Sequence, residues 1–360
     1  MVVVFTSIED GGILQLANQV TQTLDRLGYA CRLYVPSAAE PLCAAQLKEQ
    51  LAVYDLPKTI NPYHKGLRKL ADEILALHPE LVLVVDDAIR SNLLLHALGK
   101  QVKTAVIVHD VTPHLQQYTL RKLAVETVRC LYRLPAFSAA HRVVLLSGHS
   151  ETLFARRYGR FVGKSTVLPL GAHVIPSQEQ LPAEMQGCAH QPFALFFGRI
   201  DAYKGVERLI QAHLMAKTHP EYTTNLVIAG KNMMDKPVLV QEDTSIRWID
   251  RYLSDGEMQW LFRHCRFVVL PYHEASQSGV LPMAYFYGKP VLVSAIDGLQ
   301  ELVLPGCTGE IFEDDRELTE KLLRYGSAQA ELPEKDQILA HYAAAYNWQE
   351  NLRQLMTQMK

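Results

Sequence analysis

Leu195-Phe196-Phe197-Gly198-Arg199, with Lys204-Gly205 shortly after it, is the stretch on which the reading of this chain turns. An apolar run that ends in Gly-Arg is a buried strand running into a turn, and an amphipathic helical pattern follows over residues 205–217. Two cations and a glycine turn thus meet a helix N-terminus, where exposed N–H groups and the helix dipole favour an anion. A second apolar run, Phe267–Leu270, leads into Pro271-Tyr272-His273-Glu274-Ala275-Ser276-Gln277-Ser278-Gly279, again ahead of a helical pattern. Backbone N–H groups of such a Ser/Gly turn can hold further phosphate oxygens. Glu274 is a carboxylate among these phosphate ligands and cannot bind phosphate itself. Diphosphate ligands with one acid left for hydroxyls suggest a nucleotide-sugar site.

Working outward, the same strand–turn–helix unit recurs. Residues 194–197, 226–229, 246–248, 267–270 and 291–294 read as strands, and 205–217, 255–264, 279–287 and 299–303 as helices. The first half shows strands at 2–5, 31–35, 81–85, 104–108, 142–146 and 165–168, with a helical pattern over 12–27 that stops at Gly28. Such alternation predicts parallel sheets with helices on both faces. Residues 171–192 follow neither period and hold Pro176, Pro182 and Pro192, so they read as an interdomain linker. A length of 360 residues fits two domains at roughly 150 residues each. Residues 348–359 form a last amphipathic pattern, with Leu352, Leu355, Met356 and Met359 on one face.

Composition excludes several classes. Apolar residues make up 48% and charged residues 21%, the values of a globular protein with a sizeable core. No repeat, low-complexity tract or membrane-spanning apolar run is present, Met1–Phe5 reads as a strand rather than a secretory signal, and a cytoplasmic protein is expected. The six cysteines are scattered without a Cys-x-x-Cys pair, which argues against a disulfide or zinc framework. The net charge of −2 hides an asymmetry: residues 1–172 carry 19 Lys and Arg against 14 Asp and Glu. The excess concentrates in nine cations (Arg121, Lys122, Arg129, Arg133, Arg142, Arg156, Arg157, Arg160 and Lys164) set against Glu126 and Glu151. Within it, Leu120, Leu123, Val128, Leu131 and Leu134 fall near one helical stripe with the cations elsewhere, the pattern of a basic amphipathic helix on an anionic surface.

Gly198-Arg199 with Lys204-Gly205, then Val269-Leu270-Pro271 with Glu274, then Gly288-Lys289-Pro290-Val291, form a combination that resembles the retaining glycosyltransferases of GT-B fold and family 4. The Ser276-Gln277-Ser278-Gly279 wording is similar to a bacterial surface-polysaccharide branch of that family. The resemblance implies an α/β chain of two Rossmann-like domains facing a central cleft. Residues 1–172 would form the acceptor-side domain, 173–192 the linker and 193–344 the donor domain, with 345–360 crossing back onto the first.

It also implies roles. Arg199 and Lys204 would hold the leaving diphosphate, tightening as charge builds on it. Glu274 would accept charge-assisted bonds from donor-sugar hydroxyls. Gly198, Ser276, Gln277, Ser278 and Gly279 would approach the phosphates, and Gly230, Asp250, Arg251 and Tyr252 would line the base pocket. Gly12 would meet the donor and Gly11 the acceptor side. His109, at the end of strand 104–108, would touch the donor sugar near the reacting carbon, with Asp110 orienting it or capping the next segment, and His114 would contact acceptor. The acceptor would be an oligosaccharide or a lipid-linked glycan, with a peripheral contact to the anionic inner leaflet through residues 121–164. No nucleic acid partner, cofactor or metal is expected, because Asp86-Asp87 lacks an Asp-x-Asp spacing and the two cations already serve the diphosphate.

One departure stands out. Many members carry a second glutamate for the ribose, and its place falls on Pro282, or on Met283 when counted back from Gly288. Neither is acidic. Alternatives therefore stay open: a non-catalytic GT-B partner subunit, or an epimerase or phosphorylase on the same fold.

Overall fold

The computed structural model describes residues 1–55, 61, 63–112, 120–172, 174, 177–234 and 243–360. The chain divides into two units, Met1–Pro169 with Trp348–Lys360, and Leu170–Asn347.

The first unit is built on β1 (Val2–Phe5), β2 (Cys31–Pro36), β3 (Leu51–Tyr54), β4 (Leu81–Val84), β5 (Thr104–Val108), β6 (Arg142–Leu145) and β7 (Ser165–Val167). Helices α1 (Gly11–Arg26), α2 (Lys65–Ala76), α3 (Ile89–Leu98), α4 (Leu120–Ala139) and α5 (Gly148–Tyr158) connect them. The sheet runs β3-β2-β1-β4-β5-β6-β7, parallel throughout. Val-Val-Val-Phe in β1 and Leu-Val-Leu-Val in β4 are buried at every position. That is what a strand covered by helices on both faces requires.

The second unit repeats the plan with β8 (Phe193–Phe197), β9 (Asn225–Ala229), β10 (Ile246–Ile249), β11 (Phe267–Leu270), β12 (Val291–Ser294) and β13 (Gly309–Phe312), in the order β10-β9-β8-β11-β12-β13. Its helices are α6 (Val206–Ala216), α7 (Asp255–His264), α8 (Val280–Phe286), α9 (Asp297–Gln300), α10 (Asp315–Gly326) and α11 (Lys335–Ala345). Both sheets reverse their winding at one place, between β1 and β4 and between β8 and β11. Doubly wound sheets bind ligands outside the strand C-termini at that switch point.

The last helix, α12 (Trp348–Gln358), belongs to the first unit, where it packs on α1 with Leu352, Leu355 and Met356 buried. Lys103 Nζ donates to the carbonyls of Met359 and Lys360 at 2.7 and 2.6 Å, and Asn351 Nδ2 donates to Pro169 O at 2.9 Å. The lysine satisfies carbonyls that a helix end leaves without intrahelical partners.

The stretch read as a linker is a correction. Met185 and Cys188 are buried in the core of the second unit, Gln180 N donates to Gly256 O, and Gln259 Nε2 donates to Ser177 Oγ. The segment lacks a helical or strand period because it is irregular, yet it packs. Side chains spaced without period can still be buried when they reach a neighbouring helix, here α7. The short helix expected over 299–303 begins earlier, at Asp297, and ends at Gln300.

Candidate functional site

The second unit's switch point is made by two loops. After β8, Gly198 takes φ +111° and donates its N–H to Ala229 O at 2.9 Å. A Cβ on Gly230 (φ +149°) would run into Gly198 O, so the ends of β8 and β9 touch backbone to backbone. Only glycine tolerates both the dihedral and the approach. Arg199 then stands exposed. Asp201 Oδ1 accepts from Ala202 N at 2.8 Å and opens a single turn over Ala202–Lys204. Gly205, at φ +64°, ends that turn and starts α6, with its Cα so close to Pro271 O that a side chain would collide.

Pro271 opens the second loop, after β11, and the two loops are joined along their length. His273 N donates to Tyr203 O at 2.7 Å, and the Tyr203 and Tyr272 rings meet edge-on at 6.1 Å. Ser278 hydrogen-bonds the Tyr272 hydroxyl and accepts from Val280 N at 3.3 Å, which fixes the entry to α8. Burial pushes the Tyr272 phenol up to about 12. From the third side, a Cβ on Gly298 would strike Ala275 O, so α9 presses on the loop beside Ser276. Ser276 and Ser278 are buried, Glu274 and Gln277 half-buried, and Gly279 exposed.

Lys204 sits where these loops close. The residue is only 9% exposed, and its Nζ lies 5.1 Å from the centroid of the Tyr272 ring. No hydroxyl, carbonyl or carboxylate accepts from that ammonium among the described residues. Burial pushes its pKa below the ordinary lysine range; Tyr203 and Asp201 pull it up, and Arg199 pushes it further down. A buried cation without an acceptor is unfavourable unless an anion arrives to pair with it. Arg199 is thus a second cation close enough to act on Lys204, with the Asp201 carboxylate also near.

The residues assigned to the base pocket separate. Gly230 belongs to the switch point. Asp250 Oδ1 accepts from Asn232 N at 2.9 Å and from Lys231 Nζ at 3.3 Å, next to it. Tyr252 is 70% exposed. Arg251 is tied to two carboxylates of its own unit. Its guanidinium grips Glu184 through Nε and Nη2 at 2.9 and 2.8 Å, and Glu257 through Nη1 and Nη2 at 2.9 and 2.7 Å. The Arg251 bonds hold the Glu257 carboxyl down at about 2. Arg251 is a clamp between the irregular 177–192 stretch and α7, with its donors consumed.

His109, Gly11 and Gly12 belong to the first unit. His109 Nε2 lies 2.9 Å from Val85 O. A carbonyl only accepts, so the neutral ring carries its proton on Nε2 and presents a lone pair at Nδ1. The Asp110 and Val111 carbonyls accept from Arg133. Gly11 has φ +74°, but Cβ atoms on Gly11 and Gly12 would meet open space. Asp86, at the end of β4, accepts from Thr6 Oγ1, Ser7 N, Ser7 Oγ, Ala88 N and Ser91 Oγ between 2.6 and 3.1 Å, a buried lock on the loop after β1. Asp87 pairs with Arg133. His114 lies outside the described residues. Among those described, no group of three or more His, Cys, Asp or Glu is placed to hold a metal.

The second unit is thus a doubly wound parallel α/β sheet with a buried cation, lacking an acceptor among the described residues, at its switch point. Residues 191–327 match the family Glycosyl transferases group 1, and every residue named above in the two loops and the Asp250–Tyr252 stretch falls inside that span. Among curated proteins, sequence comparison finds no relative. Solved structures resemble the chain over its whole length. Sucrose-phosphate synthase from Thermosynechococcus elongatus superposes with a TM-score of 0.73 at 19% identity, covering 100% of this chain and 99% of that one. Anabaena HepE in complex with UDP gives 0.70 at 15%, with 99% of each chain covered. The lipopolysaccharide outer core galactosyltransferase WaaB gives 0.67 at 16%, with 100% of each covered. Identities this low speak for the fold alone, and that fold is GT-B; the match to Glycosyl transferases group 1 lies within the second unit.

Proposed function

We propose that this chain is a retaining, metal-independent hexosyltransferase of the family 4 type. It would move a sugar from a nucleoside diphosphate to a growing, lipid-linked bacterial surface glycan, on the cytoplasmic side of the membrane. The observation that carries the proposal is the acceptor-free Lys204 ammonium between the two loops. A diphosphate leaving group gains negative charge as the glycosidic bond breaks, and fixed cations that bind it more tightly then lower the barrier. Arg199 supplies the second cation from the exposed side. Glu274 takes sugar hydroxyls. The leaving phosphate takes the acceptor proton on the same face, so no enzymatic nucleophile is needed.

HepE holds UDP and, in another of its structures, UDP-glucose, which makes UDP the first donor nucleotide to test. A non-catalytic partner subunit is the second reading. It is favoured by Pro282 and Met283, both buried where an acid for the ribose was expected. Thermal-shift screening against UDP, GDP, ADP, CMP and dTDP, each with EDTA, separates the two, since a ligand that binds only the folded state raises its melting point. A shift with a single nucleoside diphosphate, followed by release of that diphosphate from its sugar, supports the transferase. Binding without turnover points to the partner subunit.

A further inference from the structure

The Lys204 ammonium, which finds no acceptor among the described residues, is seated on a ring. Its Nζ lies over Tyr272, 5.1 Å from the ring centroid, and both residues are buried. A cation within about 6 Å of a tyrosine face is drawn to the negative side of the ring quadrupole, and more strongly when both are out of water. On another side the wall is bare backbone. A Cβ on Gly198 would stand 3.0 Å from Lys204 Nζ and 3.7 Å from Val280 Cγ2, so glycine at 198 leaves the room that the ammonium occupies. The charged and titratable groups acting on Lys204 are Tyr203, Arg199 and Asp201 from its own loop, with Tyr272 facing it from the loop after β11. The ring itself is fixed. Ser278 hydrogen-bonds its hydroxyl, and the Tyr203 ring meets it edge-on at 6.1 Å. Its chain neighbours are tied to the first loop, Pro271 O pressing on the Gly205 Cα and His273 N donating to Tyr203 O at 2.7 Å. A ring that cannot turn fixes what it holds.

We propose that Tyr272 is a positioning residue for Lys204: its ring face, in place of a carboxylate or carbonyl, holds the ammonium and leaves N–H donors open to the oxygens of a diphosphate. An ammonium carries three N–H donors and no acceptor. A carboxylate partner would occupy some of them and cancel the charge, and an arriving anion would have to displace it. A ring face attracts the charge without cancelling it. Burial disfavours the charged form, and the ring offsets part of that penalty before any ligand arrives. The inference rests on the donor-site reading for what the ammonium meets, and on the geometry of the second unit alone for where it sits.

NMR of the full chain with isotope-labelled lysine tests it, the Lys204 signal being assigned by its loss in Lys204→Met. The ε-methylene protons of Lys204 are expected upfield, shifted by the ring current, in the wild type and in Tyr272→Phe. In Tyr272→Leu they should return to the ordinary lysine position. In a pH titration the Lys204 midpoint should fall in Tyr272→Leu, because the charged form loses its partner. It should stay near the wild-type value in Tyr272→Phe, which keeps the ring and loses only the bond to Ser278. Inorganic pyrophosphate, added with EDTA, should bind about tenfold more weakly to Tyr272→Leu and with wild-type affinity to Tyr272→Phe. An ordinary Lys204 signal in the wild type overturns the proposal, even if Tyr272→Leu does not fold. So does wild-type affinity in Tyr272→Leu, or an equal loss in both variants, which would assign the effect to the hydroxyl. Weaker binding by Tyr272→Leu with an unmoved Lys204 midpoint overturns it too, because Tyr272 would then only pack the loop. An upfield Lys204 signal in a chain that binds neither pyrophosphate nor any nucleoside diphosphate supports the ring as the seat of the ammonium and ends the donor-site reading.

Discussion

Arg133 and Asp87 form an ion pair in the interior of the first unit, with Nε donating to Oδ2 at 2.6 Å and the arginine wholly buried. Burial disfavours the guanidinium charge, but Asp87 and the Tyr158 hydroxyl more than offset this and raise its pKa. The same group donates to the Asp110 and Val111 carbonyls. One side chain of α4 thereby ties the end of β4 to the loop after β5, the loop that starts at His109. Breaking a buried pair from one side leaves an uncompensated charge, so Arg133→Met should lose about 3–5 kcal/mol in urea unfolding. The double variant Arg133→Met with Asp87→Leu should lose clearly less than the two single losses combined. Simple additivity would remove the pair from the account.

Lys204 is expected to trade stability for binding. Its buried ammonium has no acceptor among the described residues, so Lys204→Met should melt at the wild-type temperature or above it. The same variant should lose the nucleotide-induced shift and about 10²–10³ in turnover. A lower melting point with binding intact would make Lys204 a packing residue.

Arg251 should behave in the opposite way. Its fork meets two carboxylates bidentately, a geometry a lysine ammonium cannot reproduce. Arg251→Lys is expected to lower the melting temperature while leaving the nucleotide shift in place. Loss of nucleotide affinity at unchanged stability would restore Arg251 to the base pocket.

His213 predicts how the fold responds to acid. Tyr222 OH lies 3.0 Å from its Nδ1 and Ser245 Oγ 3.0 Å from its Nε2, while Ser245 donates to Asp243 Oδ1 at 2.6 Å. Burial pushes this histidine from 6.5 down to about 4. Between those values the unfolded chain binds the extra proton and the folded chain does not. Stability is therefore full above about pH 6.5 and falls as pH drops toward 4, by roughly 3 kcal/mol. His213→Gln, which keeps a donor and an acceptor but does not titrate, should flatten the upper part of that window. Urea midpoints measured against pH decide it.

Legibility followed the range of the information. Strands such as Val-Val-Val-Phe and Phe-Ala-Leu-Phe-Phe announce themselves because an element buried on both faces needs an unbroken apolar run. The glycine turns at Gly198 and Gly205 were readable for a related reason, since a positive φ leaves few other choices. β3 (Leu-Ala-Val-Tyr) and β13 (Gly-Glu-Ile-Phe) escaped because edge strands are half-covered and read as mixed. Gly298, pressed against Ala275, gave no local signal beyond an Asp-Gly pair. Arg251 looked like a ligand and Arg133 like a surface cation because a sequence shows a charge but not the carboxylate waiting for it across the fold. His114 falls outside the described residues.

Alternation of apolar runs with helical periods, and two cation-bearing glycine turns, were determined by the sequence alone. They depend on neighbours within a few residues, where sterics and periodicity act directly. Tertiary structure decided what each charge does. It left Lys204 without an acceptor among the described residues, gave Arg251 the Glu184 carboxylate and Arg133 the Asp87 carboxylate from far away in the chain, and turned α4 so that Leu131 faces water while Arg129 and Arg133 do not. Electrostatic pairing and desolvation depend on distances in space, and those are set only once the sheets have closed over their helices.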